Sequence, residues 1–145
     1  MGLFGVLDIS AAGMDAQQAR LEVAAANLAN AQTTGTRGAS LYKPLTVVLH
    51  SDMPKGAQSV AGLTADSLPR PVVAQTVEMD VTPRLVYDPG HPDADARGFV
   101  AMPGVDPIAS MLDLISISRS YEANLRAFDV TRALLQRTLD AGSHR

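Results

Sequence analysis

Apolar residues return at every seventh position at both ends of this chain, and that spacing confines each end to one long helix with a continuous seam. Near the start, Leu7, Met14, Leu21 and Leu28 recur in this way, with Ala11, Ala24, Ala25 and Ala31 filling the turns between them. Near the end, Leu114, Tyr121, Phe128 and Leu135 recur likewise, and Met111, Leu125 and Leu139 alternate with them at steps of three and four. Such a repeat, sustained over four heptads, lines one helix face and asks for a partner along it.

The first helix is predicted over 2–32, stopped by the β-branched residues and glycines of 33–38. The second is predicted over 107–141. Asp106 is placed to cap it, Pro107 suits its first position, and Gly142 marks its end. At 1.5 Å per residue both helices come out about 45–50 Å long. Gly13 is a candidate bend. Ser118 and Arg132 interrupt the second row of the C-terminal seam. Between the helices, 46–49, 71–79, 84–87 and 98–101 read as short strands, and 55–68, rich in Gly, Ser and Ala, reads as a mobile loop. The predicted fold is therefore α+β. Long antiparallel N- and C-terminal helices form a coiled-coil-like pair, a terminal helical assembly domain made of 1–38 and 105–145. A small β-rich insert occupies 39–104.

Composition narrows the function. The chain is 46% apolar, enough for packing, but only 4% aromatic and without Trp. Alanine supplies much of the apolar content and buries little area, so the core is expected to be thin and to need neighbours. Apolar residues off the seams, Val6, Val23, Ile115 and Ile117, are further surface for adjacent copies to cover. Contacts of that kind build rings or helical filaments. The net charge is −3 with no basic stripe, so a nucleic-acid partner is not expected. Cysteine is absent. The first ten residues carry no Lys or Arg, and Asp8 breaks their apolar run, so no cleaved signal peptide is expected. No apolar run approaches the ~20 residues of a membrane span, so membrane insertion is not expected either.

Three groups of residues invite a functional reading. Asn27 and Asn30 share a helix face in the last turns of the first helix, where their carboxamides can bond free carbonyls or a neighbouring backbone. Asp88, His91, Asp93 and Asp95 carry the donor types of a cation site. A calcium-loop reading fails, because Arg97 takes a ligand position and Gly104 stands where a bidentate Glu is needed. The segment Asp88, Pro89, Gly90, His91, Pro92 instead reads as a structural turn, with Asp93 and Asp95 capping its backbone. No metal, cofactor or catalytic centre is expected: His50, His91 and His144 are scattered, and no nucleophile-elbow or phosphate-loop pattern is present. On the C-terminal helix, Arg119, Tyr121, Glu122 and Asn124 are the candidates for contacts beyond the intramolecular seam.

The stretch Asn27-Leu28-Ala29-Asn30-Ala31-Gln32-Thr33-Thr34-Gly35, together with 87–95, Gly98-Phe99-Val100, 102–107 and 117–124, resembles the flagellar rod and hook family over nearly the whole chain. Three positions depart from that pattern: Ala26 where Ser is usual, Gly104 where Asn is usual, and Pro44 where a basic or polar residue is usual. Glycine at 104 eases the turn but removes a side-chain bond. The resemblance implies a non-enzymatic structural subunit of the periplasmic rod, built from copies of itself and other flagellar rod proteins, that passes torque from motor to hook. It also implies export through the flagellar type III apparatus without a cleaved signal. The alternative is a soluble adaptor or chaperone of a type III export apparatus that binds partner helices. An adaptor would keep its helices folded alone, whereas a rod subunit would order them on assembly.

Overall fold

The computed structural model describes residues 2–35, 41–52 and 68–143. The elements run α1 (Gly2–Asn30), β1 (Leu45–Asp52), β2 (Arg70–Glu78), β3 (Arg84–Tyr87), β4 (Phe99–Met102) and α2 (Pro107–Ser143). The class is α+β, and all four expected strands are present. β1 pairs with β2 and β3 with β4, giving two two-stranded sheets. The glycine-rich stretch at 55–67 and the end of the helix stop at 36–38 lie outside the described residues.

Both helices begin and end for local reasons. Asp106 caps α2: its Oδ1 accepts from the Ile108 amide at 2.9 Å, and its carbonyl takes the Ser110 amide at 2.9 Å. A cap of this type contributes about 1 kcal/mol. Gly142, expected to close α2, lies inside its last turn, and the helix runs on to Ser143. Open space surrounds Gly142, and glycine weakens a helix without forbidding it. α1 ends two residues short of the expectation, at Asn30. A tightened turn follows, in which Ala31 donates to the Leu28 carbonyl at 3.2 Å.

The chain divides into two compact units. One holds 1–19, 48–75 and 117–145; the other holds 20–47 and 76–116. Each therefore takes one end of α1 and the opposite end of α2, as an antiparallel helix pair requires.

The first unit is built on small and polar residues. Ser10 and Ala16 are buried on α1, and Ile117 and Thr131 on α2. Between them Gly13 meets Asn124: a Cβ at Gly13 would stand 2.9 Å from the Asn124 Nδ2. Gly13 is thus a point of close approach within a continuous helix. In this unit the inner row of α2 beside Phe128 and Leu135 consists of Ile117, Asn124 and Thr131. The sequence expectation put Met111, Leu125 and Leu139 there, one position further along, and all three are exposed. The period of seven is the same for both rows, so periodicity alone cannot choose between them when the true row carries polar residues. Thr131 satisfies its hydroxyl within its own helix, on the Ala127 carbonyl at 2.8 Å.

The second unit has its centre at the β3–β4 ribbon. The strands are antiparallel, pairing Val86 with Val100 and Tyr87 with Phe99. Val100 is completely buried, with Pro103 and Val105 beside it in sequence also withdrawn. The Tyr87 and Phe99 rings meet edge to face at 5.3 Å. Gly104 lies where the chain passes the residues before β3: a Cβ there would fall 2.5 Å from the Thr82 carbonyl oxygen and 2.6 Å from Val81 Cγ1. The main-chain oxygen cannot rotate away. We therefore expect Gly104→Ala to destabilise the fold by about 1–3 kcal/mol, read as a lowered urea midpoint at unchanged slope. An unchanged midpoint would mean that this approach is not tight.

Candidate assembly surfaces and the asparagine junction

Asn27 and Asn30 lie on the last two turns of α1, and the structure gives them different tasks. Asn30 stays local: its Nδ2 donates to the Ala26 carbonyl at 2.8 Å, and its Oδ1 accepts from the Thr33 hydroxyl at 3.3 Å. Asn27 reaches across to the start of β1. Its Nδ2 donates to the Leu45 carbonyl at 2.8 Å, and its Oδ1 accepts from the Leu45 amide at 2.8 Å and the Tyr42 hydroxyl at 2.9 Å. A carboxamide here does what a neighbouring peptide group would do, donating and accepting at once. Burial pushes the Tyr42 phenol above its ordinary value, so it remains a donor. Sequence reasoning recognised that the two Asn side chains could bond carbonyls or a neighbouring backbone. It did not find Tyr42 or Leu45, because no spacing rule connects them to Asn27.

The turn after β3 is closed by its own side chains. Asp88 Oδ1 accepts from the Gly90 amide at 3.2 Å, and His91 Nδ1 accepts from the Asp93 amide at 3.1 Å. Asp95 Oδ1 accepts from the Arg97 and Phe99 amides at 2.8 and 2.9 Å. Asp93 instead ties the turn to the segment after α1: the Thr34 hydroxyl donates to its Oδ2 at 2.6 Å. Pro89 and Pro92 are exposed between these bonds. Among the described residues, no group of three or more His, Cys, Asp or Glu is disposed to hold a metal ion. Gly98 completes the closure with φ of 81°, a conformation an L side chain resists.

The Asp95 carboxyl is held below its ordinary value of 3.8, chiefly by the Phe99 amide and further by the amide and guanidinium of Arg97. A depressed carboxylate stabilises the fold above its unfolded value, and that contribution is lost as pH falls through the lower folded value.

The helix faces present a different chemistry. On α1, Leu7, Met14 and Leu28 are half-buried, while Leu21 is exposed at the rim. On α2, Leu114, Phe128 and Leu135 are half-buried, Tyr121 is marginally exposed, and Asn124 faces Gly13. Arg119 is exposed, as is Glu122, which pairs with Arg126 at 3.6 Å. In the second unit the exposed side of α2 carries Ile108, 72% exposed, with Met111, Leu112 and Ile115. In the first it carries Leu125, Val130, Leu134 and Leu139. Scattered exposed apolar residues are ordinary, but here they repeat along α2 in each unit.

Known proteins place these features. Residues 7–36, ending just after the asparagine pair, match the family described as flagella basal body rod protein. Residues 96–141, containing β4 and most of α2, match the C-terminal family of flagellar basal body rod FlgEFG proteins. The two helical ends thus define a protein of the flagellar basal-body rod class. The chain is 37% identical to the flagellar basal-body rod protein FlgC of Aquifex aeolicus, covering 97% of this chain and 98% of that protein. It is 37% identical to FlgC of Salmonella typhimurium and 36% identical to FlgC of Bacillus subtilis, in each case over 98% of this chain and 99% of the relative. The chain belongs to the FlgC family of flagellar basal-body rod proteins.

Two outcomes test the junction and the turn. Asn27→Asp places a carboxylate against the Leu45 carbonyl and should cost about 1–3 kcal/mol at neutral pH. That charge conflict raises the folded pKa of the new carboxyl, so the loss should shrink as pH falls and the group regains a donor. Urea titrations of variant and parent at pH 7 and pH 4.5 check this, and a pH-independent difference would contradict the junction. Asp93→Asn with Asp95→Asn should weaken the turn only locally and remove the Asp95 contribution to acid sensitivity, read by stability measured down through pH 3.

Proposed function

We propose that this chain is a structural, non-enzymatic subunit of the bacterial flagellar basal-body rod, assembling through its terminal helices with copies of itself and other rod proteins. The observation that carries the reading is the thin inner packing of the helices: beside the buried Ile117 stand small and polar residues such as Ser10, Ala16 and Thr131, while many Leu, Ile, Met and Val side chains stay exposed. An outer layer of that chemistry gains roughly 25 cal/mol per Å² on being covered, which makes association the natural completion of the fold. The full-length likeness to rod proteins named FlgC supplies the identity of the assembly. It gives no support to an export adaptor.

In this reading 1–38 and 105–145 form the assembly domain and 39–104 the insert, and the rod passes torque from motor to hook. The seam residues, with Arg119, Tyr121 and Glu122, are contacts within that assembly. The polymer lies in the periplasm, and the chain reaches it through the flagellar type III apparatus without a cleaved signal. The reading assigns it no nucleic-acid partner and no membrane insertion. Among the described residues, no helix is long and apolar enough to cross a membrane.

Leu125→Asp tests the proposal. Leu125 is 41% exposed, so the substitution loses partial apolar burial and a good helix former and should cost the isolated chain only about 1–2 kcal/mol. It should nevertheless abolish swimming and leave basal bodies without a complete rod, as seen by electron microscopy. Normal motility with this variant would contradict the assembly role of that face.

A further inference from the structure

Asn27 joins the end of α1 to the start of β1, its carboxamide bonding both the carbonyl and the amide of Leu45. Both bonds to Leu45 use one rigid carboxamide, whose angle follows from the position of Asn27 on the helix. Asn30 and Thr33 brace the same turn, through the Ala26 carbonyl and the Asn30 Oδ1. The placement continues along the chain: Pro44, next to Leu45, accepts the Met79 amide at 2.7 Å, just past the end of β2. A helical last turn of α1 therefore orients Asn27, Asn27 orients Leu45, and the Pro44 carbonyl then meets Met79.

We infer that Asn27 is a positioning residue that makes the start of β1, and through it the Pro44–Met79 bond, conditional on the helical state of the last turns of α1. The consequence is a conformational coupling built into the fold: whatever orders the end of α1 also orders the entry to the β region. The inference goes beyond the rod assignment and stands whether or not that assignment does, because it concerns bonds within one chain.

Amide hydrogen exchange on the full chain tests it, read at Met79, which Asn27 does not touch. One variant, Asn27→Ala, removes the carboxamide. The other, Ala25→Gly with Ala29→Gly, changes two exposed positions on α1 and weakens only the helix. Both should accelerate exchange of the Met79 amide on the order of tenfold or more. The Asp88 amide, bonded to the Gly98 carbonyl at 2.9 Å, should keep its parental rate and serves as the internal control. Asn27→Gln, whose longer carboxamide cannot take the same two bonds, should behave like Asn27→Ala. Met79 exchanging at the parental rate in the glycine variant would overturn the coupling. So would equal acceleration at Asp88, which would mean general loosening, or a Met79 amide already unprotected in the parent.

Discussion

Close approach between the helices requires small residues on their inner faces, and the rest of the structure follows from that choice. Gly13 meets Asn124 without a Cβ between them, and Ser10 and Ala16 are the buried neighbours of that contact on α1. Small inner residues bring little apolar area out of water. The largest side chains that are fully buried among the described residues are Val100 and Pro103, in the β region rather than on either helix. Ordering each helical residue costs roughly 1–2 kcal/mol of backbone entropy, which an interior of alanine, serine and glycine offsets poorly. The outer apolar side chains of the helices stay uncovered in the single chain.

Polar residues in the inner row have a further effect. Apolar seams tolerate a slip along the helix axis, because one Leu packs against a neighbour much as the next does. A polar group placed among them must find its counterpart and so selects a register. Asn124 against Gly13 does this in the first unit, where only a missing side chain leaves room. In the second unit Asn27 is tied to a single backbone residue by two opposed hydrogen bonds. In both units specificity comes from directional or steric contacts, and the apolar surface contributes cohesion.

The sequence made the element plan legible. Strand positions were readable because Pro and Gly punctuate the middle of the chain and β-branched residues fill the intervals; β3 falls at 84–87, where the sequence put it. Asp106 and Pro107 announced the start of α2 through chemistry that is complete within four residues. What was not legible is which of two equally spaced rows on α2 faces inward. Met111, Leu125 and Leu139 are the more apolar row, and a pattern argument selects them. The chain instead turns Ile117, Asn124 and Thr131 inward, a choice that depends on Gly13 from a helix about a hundred residues away in sequence. The role of Asn27 was half legible: its chemistry as donor and acceptor was evident, but its partners, Tyr42 and Leu45, are set by the path of the intervening chain.

The junction also bears on mechanical duty. If the rod passes torque, as proposed, it loads its subunits laterally, and apolar contacts resist sliding weakly because their energy changes little with direction. Hydrogen bonds lose strength steeply once bent away from alignment, so a bidentate carboxamide opposes rotation between a helix and a strand more stiffly than an apolar patch of equal energy. The Asn27–Leu45 pair, and the Thr34–Asp93 bond that joins the segment after α1 to the turn after β3, sit where the helical end gives way to the β region. Directional bonds at that joint supply stiffness within the chain that its apolar contacts alone do not.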